Sequence, residues 1–127
     1  MSEEKKYKVL IVEDEEALRN VYTEYLRSEG FEVVEATNGE EAFEKIEQFD
    51  FDIMLLDIML PKVDGLEVLK KVKSNIKLKD KKVLLLTALG RDSVIKEGFE
   101  LGADGYLIKD QEDPETVKKN ILKVLGS

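Results

Sequence analysis

Apolar residues fall along this chain in two rhythms. Unbroken runs occur at Val9-Leu10-Ile11-Val12, Ile53-Met54-Leu55-Leu56, Val83-Leu84-Leu85-Leu86 and Tyr106-Leu107-Ile108, and Phe31 to Ala36 reads as a further short strand. Runs without polar alternation are strands buried on both faces. Between the runs, apolar residues recur every three or four positions, the period of a helix with one apolar face. Residues 15–29 carry Leu18, Val21, Tyr22, Tyr25 and Leu26 on one stripe with Glu and Arg opposite, and Gly30 ends the segment. Asn38 with Glu41 three residues on opens a second helix over Ala42, Phe43, Ile46 and Phe49. Asp64 with Glu67 opens a third over Leu66, Val68, Leu69 and Val72, and Asp92 a fourth over Val94, Ile95, Phe99 and Leu101. Asp113-Pro114 opens the last, over Val117, Ile121, Leu122 and Leu125, because Asp caps and proline suits the first helical position. Strand and helix alternating five times predict an α/β fold, a parallel sheet with helices on both faces. No linker breaks residues 7–125, and the units differ too much to stack as a repeat array. The expectation is a single domain over 1–127, core 7–125, with no further domain in this chain.

The polar residues that end the strands change this from a fold to a site. In chain order the first strand ends in Glu13-Asp14, the third in Asp57, the fourth in Thr87 and the fifth in Lys109. In a parallel sheet those ends share one edge, where open α/β folds place their ligands. In a doubly wound, flavodoxin-like order 2-1-3-4-5, strand 3 is central. Asp14 and Thr87 are then each about 4.8 Å from Asp57 laterally, and Lys109 about twice that, a gap a lysine side chain closes. Crowded carboxylates repel, by about 4 kcal/mol for a like-charge pair near 4 Å at an effective dielectric of about 20. A cation is therefore expected, and Mg²⁺ suits an all-oxygen site that keeps room for phosphate and water. A carboxylate can also act as nucleophile toward phosphorus. Thr87, Lys109 and the metal could then neutralise the phosphoryl oxygens, which is most of what phosphoryl transfer asks of a protein. Asp57 is equipped to receive a phosphoryl group.

Composition narrows the chemistry. Among 127 residues there is no histidine and no cysteine, which excludes a phosphohistidine, a Ser-His-Asp triad and His- or Cys-ligated zinc, and suits a reducing compartment, the cytoplasm. Any histidine in the reaction must belong to a partner. A net charge of −8 argues against direct nucleic-acid binding, since phosphate is held by Lys and Arg. No apolar run approaches the ~20 residues of a membrane span. The lysine runs at Lys5-Lys6, Lys70-Lys71, Lys79 to Lys82 and Lys118-Lys119 read as solvated faces.

Taken in order, these residues resemble the receiver domain of bacterial two-component response regulators. The features are Glu13-Asp14, Asp57 followed by Pro61 and Asp64-Gly65, Thr87-Ala88, Gly102-Ala103-Asp104-Gly105-Tyr106, and Lys109. The resemblance implies the (βα)5 fold with strand order 2-1-3-4-5. It implies Asp57 as phosphoacceptor, Glu13 and Asp14 as Mg²⁺ ligands with Asp57 and the Met59 carbonyl, and Thr87 and Lys109 at the phosphoryl oxygens. Tyr106 would be the switch aromatic, turning inward as Thr87 moves and altering the face of helix 4, strand 5 and helix 5. The chain would then be a signalling switch catalysing only its own phosphorylation and dephosphorylation. A sensor histidine kinase or histidine phosphotransfer protein would be its donor and an output protein or domain its target. Whether phosphorylation brings a homodimer is left open. Met59 and Leu89 sit where the family tunes water access to the phosphoryl group, and both are apolar, so slow self-dephosphorylation is expected. Many members carry proline after the lysine, where this chain has Asp110; the role of Lys109 is expected to survive that change.

Three other functions compete. A nucleotide- or flavin-binding domain would need a phosphate cradle where this chain puts Glu13-Asp14. A Mg²⁺-dependent phosphohydrolase with an aspartyl nucleophile shares the chemistry and differs in turning over a small phosphate ester. A receiver-like module that binds without phosphorylation would have no use for Asp57, Thr87 and Lys109 together.

Overall fold

A computed structural model describes residues 6–88, 92–109 and 113–126. Strands β1 (Lys8–Val12), β2 (Glu32–Ala36), β3 (Ile53–Asp57), β4 (Lys82–Thr87) and β5 (Gly105–Ile108) alternate with helices α1 (Glu16–Ser28), α2 (Gly39–Gln48), α3 (Gly65–Ser74), α4 (Asp92–Glu100) and α5 (Pro114–Val124). The sheet is parallel in the order β2-β1-β3-β4-β5, the flavodoxin-like arrangement the sequence led us to expect.

Every residue of β3 is buried, which fits its central place. Its alternate side chains feed two separate cores. Leu10, Val12, Met54, Leu56, Val83 and Leu85 pack with Ala42 and Ile46 of α2 and Val68, Leu69 and Val72 of α3, with Val94 of α4 at the margin. Val9, Ile11, Ile53, Leu55, Leu84 and Leu86 pack with Tyr22 and Leu26 of α1 and Val117 and Ile121 of α5. Each such side chain contributes about 1.5–3 kcal/mol on burial. A polar substitution in β3 would therefore damage one whole face.

The helix starts follow the expected chemistry with shifts in detail. Asn38 accepts from the Glu41 N–H at 2.9 Å, but the Glu41 carboxylate reaches back to the Thr37 N–H rather than to Asn38. Asp64 accepts from the Leu66 N–H and Asp113 from the Thr116 N–H, with Pro114 in the first helical turn. Several boundaries move by one residue: α1 starts after Glu15 and ends before Glu29, Phe31 precedes β2, Phe49 caps α2 in extended conformation, Leu101 follows α4 and Leu125 caps α5.

Two apolar positions do not point inward. Val21, expected on the inner stripe of α1, is 50% exposed, and Thr23 takes the buried place because Glu35 of β2 offers it a hydrogen-bond partner. Phe99, expected under α4, is also exposed, since the helix comes so close to the sheet at Gly98 that a Cβ there would meet Leu85. Among the described residues, no helix is long and apolar enough to cross a membrane.

Candidate functional site

The strand registers assemble the site. Val12 pairs with Leu56 and Asp57 with Leu86, so the residues just past these pairs, Glu13 on one side and Thr87 on the other, flank Asp57 at the C-terminal edge. By strand alternation Glu13 and Asp57 extend the rows of Val9–Ile11 and Ile53–Leu55, toward α1 and α5, whereas Thr87 extends the row of Val83 and Leu85. Lys109 follows β5 in step with Leu107, on the same side as the carboxylates.

Asp57 is 1% exposed, and each of its oxygens has a partner. Its Oδ1 accepts from the Met59 N–H at 3.0 Å, and its Oδ2 lies 2.9 Å from Lys109 Nζ. The turn after β3 is closed by Gly65, where a Cβ would run into the Asp57 carbonyl oxygen, so α3 packs directly on the backbone of the acidic strand end. A larger residue at this position would displace the turn.

Glu13 is completely buried. Its Oε2 accepts from the Glu15 N–H at 2.9 Å and from Lys109 at 3.2 Å. Its Oε1 lies 3.1 Å from the same ammonium but makes no hydrogen bond among the described residues. Asp14, one residue further out, is exposed. One carboxylate oxygen from each of Glu13, Asp14 and Asp57 lies within 4.8 Å of the others.

The electrostatics follow from this crowding. Burial pushes the Glu13 carboxyl up to about 7, with the neighbouring Asp57 charge adding to the shift and the Glu15 N–H and Lys109 opposing it. Burial also raises Asp57, against the pull of the Lys109 hydrogen bond and charge. For Lys109 burial disfavours the charge, yet its contacts with Asp57 and Glu13 outweigh that and hold it above the usual lysine range. The cation expected from the sequence is thus partly supplied from within. Among the described residues one ammonium still faces three carboxylates, and a buried Glu13 oxygen has no hydrogen-bond donor. The residues fit a second, hard, oxygen-seeking cation.

Thr87 is buried, and its hydroxyl donates to the Ala88 carbonyl at 3.3 Å. Tyr106 pairs in register with Leu85, is 46% exposed, and meets the Phe99 ring edge-on at 6.1 Å between centroids. Met59 contributes its N–H to Asp57 while its side chain is largely exposed. Leu89 and Asp110 lie outside the described residues.

Sequence reasoning missed Arg19, which was placed on the solvent side of α1. Its side chain is only 11% exposed and bonds to Glu35 and to the Glu13 carbonyl. The available signal was Glu35, an acidic residue inside a short strand, between Val34 and Ala36.

Known proteins share this architecture. The sequence profile of the response regulator receiver domain matches residues 9–121. Transcriptional regulatory protein SrrA of Staphylococcus aureus is 40% identical over 109 residues, which make up 86% of this chain and 44% of that protein. The chain therefore spans less than half the length of that relative. A putative response regulator from Chloroflexus aurantiacus is similar in structure with a TM-score of 0.89 at 34% identity, over 97% of this chain and 100% of that one. Chemotaxis response regulator CheY4 of Vibrio cholerae gives 0.88 at 32% identity, over 94% of this chain and 99% of that one.

Proposed function

The chain belongs to the response regulator receiver domain family, and from that premise we propose that residues 7–125 form a receiver unit in which Asp57 accepts a phosphoryl group from a partner's phosphohistidine. The observation that carries this reading is the buried Asp57 carboxylate, held between the Met59 N–H and Lys109 and beside the acidic pair Glu13-Asp14.

In the reaction a carboxylate oxygen of Asp57 forms a bond to phosphorus while the phosphorus–nitrogen bond breaks, and the electron pair leaves with the partner's imidazole. No histidine of this chain can take part, because there is none. Lys109 stays beside the acceptor, close enough at 2.9 Å to neutralise charge as it passes to the phosphoryl oxygens. Thr87 contributes its hydroxyl to the same oxygens once it turns from the Ala88 carbonyl. Glu13, Asp14 and Asp57, with the Met59 carbonyl, would hold Mg²⁺, which when bound supplies charge neutralisation for the transfer.

The phosphoryl group adds about −1.5 to −2 charges beside Thr87 and shifts a two-state equilibrium of the face near Tyr106. That face carries a groove of about 400 Å³ lined by residues that include Leu84, Phe99, Gly105, Tyr106, Asn120 and Val124, a suitable surface for an output partner. In a protein of the length of SrrA, the partner could be a domain of the same chain acting on transcription. The unit would work in the cytoplasm, where histidine kinases deliver the group. Apolar Met59 and Leu89 favour a long-lived phosphoryl group, and a lifetime as short as that of receivers with polar residues there would overturn this point.

Intact mass after incubation with a small phosphodonor tests the reading, with and without Mg²⁺, on wild type and Asp57→Asn. A single Mg²⁺-dependent phosphoryl adduct, absent from Asp57→Asn, is expected. An adduct retained by Asp57→Asn, or none on folded wild type from either a small donor or a histidine-phosphorylated one, would contradict it. Multiple turnover on a phosphate ester would instead mark a phosphohydrolase.

A further inference from the structure

Arg19 lies behind the acidic site and grips its main chain. From α1 its guanidinium forks: Nε donates to Glu35 Oε2 at 3.1 Å and Nη1 donates to the Glu13 carbonyl oxygen at 2.9 Å. Thr23, one turn along the helix, donates to the same Glu35 oxygen at 2.9 Å. Glu35 sits in β2 opposite Ile11, and the neighbouring Ala36 carbonyl accepts the Glu13 N–H at 3.1 Å. The main chain of Glu13 is thus held at its N–H by β2 and at its carbonyl by α1. Its side chain is held separately, by Lys109 and the Glu15 N–H.

The Glu13 carbonyl belongs to the peptide plane that joins Glu13 to Asp14. Fixing that plane fixes where the Asp14 N and Cα stand and so limits where its carboxylate can reach, while Glu13 keeps its buried oxygen in place. We propose that Arg19, anchored by Glu35, is a positioning residue for the acidic pair and sets the affinity of the site for a divalent cation without touching the cation. This inference rests on the reading of Glu13 and Asp14 as cation ligands. Arginine suits the task because two nitrogens of one rigid plane can serve two acceptors, whereas the single ammonium of lysine cannot reproduce that fork. Groups that orient metal ligands in this way change metal affinity by about 10–100-fold.

A mere structural staple between α1 and β2 would affect stability alone, and the two roles separate in one experiment. The melting temperature of the full chain is followed against Mg²⁺ concentration for wild type, Arg19→Ala, Arg19→Lys and Thr23→Val, which yields cation affinity without phosphorylation. Phosphorylation by a small donor is then measured over the same Mg²⁺ range. Arg19→Ala is expected to weaken Mg²⁺ binding about tenfold, and to raise the Mg²⁺ needed for half-maximal phosphorylation equally, with the rate at saturating Mg²⁺ within about twofold. Arg19→Lys should fall between, and it carries the test if Arg19→Ala does not fold. Thr23→Val, which loosens the same helix contact without touching the Glu13 carbonyl, should lose stability and keep Mg²⁺ affinity within about twofold. Arginine variants that lose stability while keeping wild-type Mg²⁺ affinity would overturn the inference alone. A wild type that does not respond to Mg²⁺ would overturn the cation reading itself, and this inference with it.

Discussion

The two sides of Asp57 are built to different standards. On the β1 side, Glu13 is fixed at its N–H by Ala36, at its carbonyl by Arg19, and at its carboxylate by Lys109 and the Glu15 N–H. On the β4 side, Thr87 spends its hydroxyl on a long bond to the next carbonyl, and Tyr106 stands half in solvent against Phe99. Under the proposed function, the difference amounts to a division of labour. A cation site must exist before the reaction, so its ligands are positioned in advance. A switch needs two states of similar energy, so its residues must be held weakly in the first.

The sharpest way to break this comparison is to remove the internal cation. Lys109→Met strands Glu13 and Asp57, both buried, and should cost about 3 kcal/mol without metal, the scale for an uncompensated buried charge. Chemical denaturation at pH 8 checks this, and part of the loss should return on adding Mg²⁺. An unchanged stability would mean that the β1 side is not organised around Lys109.

The next effect comes from pH. Glu13 has its folded pKa raised from 4.5 to about 7, and Asp57 is raised as well, so between those values the folded state binds more protons than the unfolded state. Stability of the metal-free protein should therefore fall as pH rises from about 4.5 to 7 and stay lower at pH 8. Lys109 does not reverse the sign, because a raised lysine contributes evenly below 10.5. Thermal melts at pH 5.5 and pH 8 should differ by several degrees without Mg²⁺, and Mg²⁺ should stabilise more at pH 8. A melt that rises toward pH 8 without Mg²⁺ would contradict the burial argument.

Smaller still is Asp57→Asn. Because burial leaves the Asp57 charge at a net disadvantage, the neutral isostere should add about 1 kcal/mol without metal. Equilibrium unfolding would reveal it, and a clear loss would show that the Lys109 pair outweighs the cost of burial. The smallest stability effect is expected for Thr87→Ala, about 0.5 kcal/mol or less, with Mg²⁺ affinity unchanged. This variant should still take up phosphate but fail to turn Tyr106, which ring resonances of Tyr106 would report. A normal Tyr106 response would remove Thr87 from the switch.

Much of this was legible in the sequence because strand ends announce themselves. Asp57 and Lys109 each close an apolar run, and the reach of a lysine side chain across to the central strand follows from strand spacing alone. Glu13 and Asp14 were read as an equal pair, yet the structure buries Glu13 and exposes Asp14. The period of two from Val9 and Ile11 carries that distinction. Arg19 was hidden because a charged residue beside an apolar stripe looks solvated until a neighbouring strand offers it Glu35. The outward turn of Val21 goes with the Thr23–Glu35 bond and that of Phe99 with the close approach of α4 at Gly98, both matters of tertiary packing that local periodicity does not carry.

Backbone amide chemical shifts of the Mg²⁺-bound chain, compared before and after phosphorylation of Asp57, test the division of labour most directly. Small changes across Val12 to Arg19 and large ones at Thr87, Phe99 and Tyr106 are predicted. Large changes confined to the β1 side, with Thr87 and Tyr106 unmoved, would contradict the account.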